Sequence, residues 1–95
     1  MPTIVYLIAG ETSGDVLGGR LMRAIRTRLP DVRFIGVGGP EMQAEGLQSL
    51  FPMSDLSLMG IAEILPHIPK LLRRIRESAS HIRQTGPDIV ITIDA

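Results

Sequence analysis

Positions 10–15 read Gly-Glu-Thr-Ser-Gly-Asp and place three side chains with chemical potential, Glu11, Ser13 and Asp15, within one turn. The segment follows a short apolar run and precedes a stretch with helical spacing, which predicts a tight strand-to-helix turn. In one interpretation Ser13 caps the helix and the negative charge of Asp15 interacts favourably with the positive end of the helix dipole. In the other, the turn is a polar cradle for a sugar or a phosphate, which its glycines would allow to approach the backbone closely.

Asp94 directly follows a second apolar run at 88–93, one residue before the last position. An aspartate at the end of a strand often caps the helix that follows. The alternative is a carboxylate that acts as general base on a hydroxyl group. Because the sequence stops where a catalytic loop would begin, we expect a truncated chain.

Residues 61–76 combine apolar side chains at three- and four-residue steps with Lys70, Arg73, Arg74 and Arg76. An amphipathic helix packed on a sheet is the simplest interpretation. The segment is expected to be split by Pro66 and Pro69, however, so that one stripe cannot face one sheet throughout. An apolar surface beside a basic cluster also fits an interfacial membrane patch.

The composition and two incomplete nucleotide-binding motifs argue against several classes of function. Ten basic and ten acidic residues balance, which gives no indication of nucleic-acid binding. The absence of Cys and the wide spacing of the two histidines predict no metal site. Gly14 and Gly19 lack the Lys and Ser or Thr that complete a P-loop, and Glu41 stands where a dinucleotide-binding loop needs its third glycine. No signal peptide or membrane span is predicted, so we expect a cytoplasmic protein. We also expect no cofactor.

Strand and helix patterns alternate along the chain, which predicts an α/β fold with a parallel sheet covered on both faces. Right-handed crossovers favour the strand order 3-2-1-4, so the 10–15 turn and Asp94 would face one crevice. The expected strands are 4–9, 32–37, 47–51 and 88–93, and the expected helices are 14–29, 40–45 and a broken stretch at 60–85.

Four segments in order resemble the lipid-A-disaccharide synthase family. They are Ala-Gly-Glu-Thr-Ser-Gly-Asp at 9–15, Gly-Val-Gly-Gly-Pro-Glu-Met-Gln-Ala-Glu-Gly at 36–46, Leu-Met-Gly-Ile-Ala-Glu-Ile-Leu-Pro at 58–66 and Pro-Asp-Ile-Val-Ile-Thr-Ile-Asp-Ala at 87–95. The resemblance implies an inverting GT-B glycosyltransferase of two Rossmann-like halves. Residues 1–95 would be a partial N-terminal, acceptor-side domain, without the C-terminal nucleotide-sugar domain, and would be inactive alone.

The implied reaction joins UDP-2,3-diacylglucosamine to 2,3-diacylglucosamine 1-phosphate. Its products are the β(1→6) lipid A disaccharide 1-phosphate and UDP, and the implied location is the inner face of the inner membrane. By the same resemblance Asp94 is the base that takes the proton of the acceptor 6-hydroxyl. The implied substrate-binding turn comprises Gly10, Glu11, Ser13, Gly14 and Asp15. The implied membrane and acyl patch comprises Ala62, Ile64, Leu65, Ile68, Leu71 and Leu72.

Two other functions stay open. One is a nucleotide-dependent oxidoreductase on a Rossmann-like fold, against which the missing third glycine counts. The other is a non-catalytic membrane-binding fragment.

Overall fold

The computed structural model describes residues 2–56 and 68–93, which form four strands, three α-helices and one 3₁₀ turn. In chain order the elements are β1 (Ile4–Ala9), α1 (Thr12–Arg28), β2 (Arg33–Val37), α2 (Pro40–Ala44), β3 (Gln48–Ser49), the 3₁₀ turn Met53–Leu56, α3 (Ile68–Thr85) and β4 (Ile89–Ile93). None of these helices is long and apolar enough to cross a membrane.

The four strands form one parallel sheet in the order β3-β2-β1-β4. Tyr6 of β1 lies between Ile35 of β2 and Val90 of β4, and Ala9 lies beside Ile93. The chain therefore continues on opposite sides of β1 before and after β3, in the strand order that the rule of right-handed crossovers predicted. Both the predicted strand order and the predicted α/β, Rossmann-like fold class are confirmed.

One face of the sheet carries the core. Side chains alternate along a strand, so Val5, Leu7 and Ala9 all point to this face, where they pack with Met22 of α1 and Met42 of α2. Gly18 makes this packing possible, because a Cβ on it would lie 2.6 Å from the Met42 sulfur and 2.9 Å from Ile93 Cδ1. Helix α1 thus approaches α2 and β4 more closely than a larger residue would allow.

Helix α3 covers the other face with far less burial. Tyr6 points to this side and is fully buried, and its hydroxyl lies 2.9 Å from His81 Nδ1, with the two rings edge to face. Ser78 is the buried residue of α3. In the described part of the chain β4 pairs only with β1, and its Ile89 and Val90 are exposed.

Three boundaries differ from the sequence predictions. Helix α1 begins at Thr12, two residues earlier than expected, and β3 is limited to two residues, where 47–51 was expected. The predicted break at Pro69 is wrong: this residue lies in the first turn of α3, where a proline has no intrahelical hydrogen bond to lose, and the helix continues unbroken to Thr85. The predicted stretch 60–67 lies outside the described residues.

Candidate functional site

The turn at 10–15 lies at the carboxyl edge of the sheet, where β1 and β4 end side by side. A Cβ placed on Gly14 would lie 3.4 Å from Ile93 Cγ2 and 3.5 Å from Ala9 Cβ. The turn therefore contacts the last described residue of β4. Asp94, the residue that follows, lies outside the described residues, but the predicted neighbourhood of the turn and the end of β4 is confirmed up to Ile93.

Glu11 and Ser13 are exposed on this edge. Glu11 is the N-cap residue of α1, in extended backbone geometry (φ −142°, ψ 160°), and its side chain makes no capping hydrogen bond. The prediction that Ser13 caps the helix is therefore wrong, because the helix begins earlier and Ser13 lies in its first turn. Both side chains carry oxygens that a ligand at this edge could meet.

Asp15 differs from its two neighbours in the turn, because it is 1% exposed. Its Oδ1 accepts hydrogen bonds from the backbone N–H groups of Gly39 and Met42, and its Oδ2 accepts one from Glu41, each at 2.9 Å. A helix normally leaves its first N–H groups without a partner, and here a side chain from another helix satisfies them. Asp15 thus binds the start of α2 to α1.

Gly39 is required by this arrangement. A Cβ at this position would lie 2.7 Å from Asp15 Oδ2 and 2.8 Å from its carboxyl carbon. The absence of a side chain at Gly39 therefore lets the carboxylate of Asp15 approach the backbone at the start of α2.

The 3₁₀ turn Met53–Leu56 forms the next wall of the edge. Leu56 Cβ lies 3.4 Å from the position a Cβ would take on Gly10, so this turn lies against the end of β1. Asp55 faces the other way, towards α3: its Oδ1 lies 3.1 Å from Lys70 Nζ and its Oδ2 lies 2.8 Å from the Arg74 guanidinium. The hydrogen bond from Lys70, followed by that from Arg74, holds the pKa of Asp55 below its usual value, so this carboxyl is ionised at neutral pH.

Arg74 is the centre of this group. Its guanidinium also pairs with Glu77 at 2.8 Å and lies 4.7 Å from the centroid of the buried Phe51 ring. The bond to Glu77, and then that to Asp55, raises the pKa of Arg74 further above its usual value. Arg74 is therefore engaged within the domain, unlike the solvated or lipid-facing cation that the sequence pattern predicted.

Helix α3 directs a row of apolar side chains away from the domain. Ile68, Leu72 and Ile75 recur at four- and three-residue steps and are 37%, 47% and 53% exposed. Leu71, on the adjoining side of the helix, is partly buried. Of the predicted patch, Ile68 and Leu72 are thus on the surface, whereas Ala62, Ile64 and Leu65 lie outside the described residues.

Two parts of this arrangement were not predicted from the sequence. The charge group around Asp55 has only a weak signal in the sequence, which is an acidic residue 15 positions before a Lys-Arg cluster. The Tyr6–His81 pair joins residues 75 positions apart and has no local signature. No group of three potential metal ligands occurs among the residues that the structure describes.

Comparison with known proteins decides the family. A family profile described as Lipid-A-disaccharide synthetase matches residues 5–95. The chain belongs to this family. It is 57% identical over 93 residues to the lipid-A-disaccharide synthase of Paramagnetospirillum magneticum, covering 97% of this chain and 24% of that protein. The synthases of Rhodospirillum centenum and Pseudomonas aeruginosa LESB58 are each 55% identical over 95 and 91 residues, covering 99% and 96% of this chain and 24% of each relative.

The chain thus spans about a quarter of the length of the synthases it matches. The match runs through the 10–15 turn, the Asp55 group and β4 alike. The predicted family is confirmed by these relatives.

Proposed function

We propose that this chain is the acceptor-side part of a glycosyltransferase of lipid A biosynthesis. The reaction would transfer 2,3-diacylglucosamine from its UDP derivative to 2,3-diacylglucosamine 1-phosphate, giving the β(1→6) disaccharide 1-phosphate and UDP. The observation that carries the proposal is membership of the lipid-A-disaccharide synthetase family over residues 5–95. The placement of the polar 10–15 turn against the end of β4 supports it, since open α/β sheets bind ligands at the carboxyl ends of their strands.

Asp94 is the proposed general base. It would take the proton from the acceptor 6-hydroxyl while that oxygen attacks the anomeric carbon of the donor sugar. The bond from this carbon to the phosphate oxygen breaks at the same time, and its electron pair leaves with UDP. Asp94 immediately follows Ile93, which contacts the turn, and this sequence position suits a base that must lie within hydrogen-bond reach of the hydroxyl.

Within the turn we divide the roles between exposed and buried groups. Glu11 and Ser13 are exposed and would hydrogen-bond the acceptor. Gly10 and Gly14 would support the turn by lying close to Leu56 and Ile93, since a Cβ on either glycine would lie 3.4 Å from these side chains. Asp15 would act indirectly, since its oxygens already accept three backbone hydrogen bonds. It holds the neighbouring loop in place and leaves substrate contact to the other residues of the turn.

The same three hydrogen bonds argue against the oxidoreductase alternative. A dinucleotide-binding loop offers free N–H groups at a helix start to a pyrophosphate. Here the corresponding groups of Gly39, Glu41 and Met42 are taken by Asp15.

The row Ile68, Leu72 and Ile75 on α3 would contact the membrane in which the acylated substrates reside. Arg73 and Arg76 flank the row and are exposed, and neither forms an ion pair with another described residue. Apolar side chains bordered by cations are the composition that binds an anionic lipid interface. We therefore propose that the protein acts at the cytoplasmic face of the inner membrane.

The test uses a graft protein, in which this chain replaces the matching 93 residues of the Paramagnetospirillum magneticum synthase. We expect the graft to release UDP when given both acylated sugars. Asp94→Asn should reduce turnover by about 100-fold or more, the scale of losing a general base. Asp31→Asn, which makes the same charge change at an exposed turn residue, is the matched control.

Two results would contradict the proposal. A folded graft that releases no UDP, while the parent synthase does, would favour a non-catalytic membrane-binding chain. Full turnover by Asp94→Asn would remove the base from its assigned role.

A further inference from the structure

The 3₁₀ turn Met53–Leu56 lies between the proposed acceptor site and the proposed lipid-facing helix. On one side Leu56 contacts the end of β1, since its Cβ is 3.4 Å from the Cβ position of Gly10. Met53 reaches the end of β2, where its Cε would lie 2.9 Å from a Cβ on Gly39. The turn therefore rests on two of the loops that form the carboxyl edge of the sheet.

On its other side the turn is joined to α3 through Asp55. The side chain of Asp55 is only 10% exposed and holds Lys70 at 3.1 Å and Arg74 at 2.8 Å, the two cations on successive turns of the helix. The contact of Arg74 with the buried Phe51 ring adds to this attachment. The first half of α3 is thus joined to the 3₁₀ turn by ion pairs, while its apolar residues Ile68 and Leu72 are exposed.

This attachment has a consequence for lipid binding. Four cations lie in the first half of α3, at positions 70, 73, 74 and 76. Asp55 engages those at 70 and 74, so an anionic headgroup would have to displace a carboxylate to reach them. The other two remain for the membrane.

We propose that Asp55 is a positioning residue that fixes the lipid-facing helix against the 10–15 turn and, in doing so, withholds Lys70 and Arg74 from anionic lipid. The proposal rests on the function proposed above. Asp55 weakens attraction to the membrane and in return sets the place of the acceptor site relative to the bilayer surface. Membrane affinity and turnover are therefore expected to respond to its removal in opposite directions.

The graft protein tests this with Asp55→Asn. The variant should bind phosphatidylcholine vesicles that contain phosphatidylglycerol about fivefold more tightly, because Lys70 becomes available while Arg74 keeps its pairing with Glu77. Binding to vesicles of phosphatidylcholine alone should not change. Turnover of acylated acceptor should fall about tenfold through kcat, the scale of a small misplacement of a bound substrate. Asp31→Asn should alter neither value, and Asp55→Glu, which keeps the carboxylate, should restore both.

A second pair of variants does not depend on the loss of Asp55. Lys70→Gln and Arg73→Gln each remove one cation from α3. We expect Arg73→Gln to weaken binding to the anionic vesicles about fivefold. Lys70→Gln should change it less than about twofold, because Asp55 already holds this cation.

Each remaining outcome overturns the inference. Equal affinity of Asp55→Asn and Asp31→Asn for anionic vesicles would mean that no cation is withheld, as would equal effects of Lys70→Gln and Arg73→Gln. Tighter binding with full turnover would remove the positioning role. Loss of both vesicle binding and turnover would make Asp55 a residue of the fold alone. Failure of the unsubstituted graft to bind vesicles or to release UDP would instead count against the proposed function.

Discussion

The two faces of the sheet are built by different means. On the α1 face, Leu7, Met22 and Met42 are fully buried, and the carboxylate of Asp15 closes the space between α1 and α2. On the α3 face, the helix is held by the Tyr6–His81 hydrogen bond and the ion pairs of Asp55, and a row of apolar side chains stays exposed.

This difference indicates that the two faces have different roles, one in stabilising the fold and one in leaving a surface exposed. Close packing is intolerant of change, because each removed group leaves a cavity or an unpaired polar atom. A helix attached by a few polar contacts keeps an apolar row available for something outside the domain. Polar attachment also fixes the position of α3 without using that row, which leaves the row available for the proposed membrane contact.

The largest effect is expected on the packed face, from Asp15→Ala. The change leaves three backbone N–H groups at the start of α2 without an acceptor, at a cost of about 3 kcal/mol or more. Amide exchange of Gly39, Glu41 and Met42 in the graft protein should accelerate about 100-fold or more, while exchange in α3 should stay the same.

Asp15→Asn sharpens this prediction. Its remaining oxygen can still accept from Gly39 and Met42, so only the hydrogen bond from Glu41 is lost and the acceleration should be much smaller. Equal and small effects of both variants would mean that Asp15 does not hold α2, and the contrast between the faces would lose its main support.

A smaller effect is expected on the other face, from Tyr6→Phe. The change removes one hydrogen bond to His81, worth about 1 kcal/mol, and leaves the ring in place. The melting temperature of the graft protein should fall slightly at neutral pH. Amide exchange should become faster in α3 and stay the same in α2.

The stability difference between the unsubstituted graft and Tyr6→Phe is expected to depend on pH, because the Tyr6 hydroxyl titrates. Burial, and to a lesser extent Glu77, raises the pKa of Tyr6 above its usual value. The stabilisation is therefore fully present below the unfolded pKa of about 10 and is lost as pH rises through the higher folded value. The difference in Tm between the unsubstituted graft and Tyr6→Phe should close above about pH 10. A constant difference up to pH 11 or so would show that the hydroxyl does not hold α3.

The sequence predicts most strands and their order well, because strand signals are local and the rules for connecting strands allow few arrangements. Apolar runs and glycine breaks mark β1, β2 and β4, and right-handed crossovers then leave few strand orders. The short β3 and the early start of α1 were less well predicted, since element ends depend on single hydrogen bonds.

The site was only partly predictable, for a physical reason. The sequence identified Asp15 as a polar residue of the turn, but its partners are backbone N–H groups of residues 39–42, which carry no side-chain signature. The attachment of α3 by Asp55 depends on where a loop lies in space. The apolar-plus-basic pattern predicted an exposed surface, and Ile68 and Leu72 are exposed, but Leu71 is partly buried and the expected break at Pro69 was wrong. Its role at a membrane stays a prediction.

We propose that the outward row of α3 contacts a membrane, whereas the side chains on the α1 face of the sheet stabilise the fold. The most direct measurement is the melting temperature and vesicle binding of the graft protein with Ile68, Leu72 and Ile75 all changed to Ser, beside Met22→Ser as the control from the packed face. We expect the triple variant to melt almost normally, since Ile68 and Leu72 are 37% and 47% exposed, and to dissociate from anionic vesicles. Met22→Ser should cost about 2–5 kcal/mol, with vesicle binding retained in the fraction that stays folded. A triple variant that melts as early as Met22→Ser would make the row part of the core, and one that melts normally but still binds vesicles would place the membrane surface elsewhere.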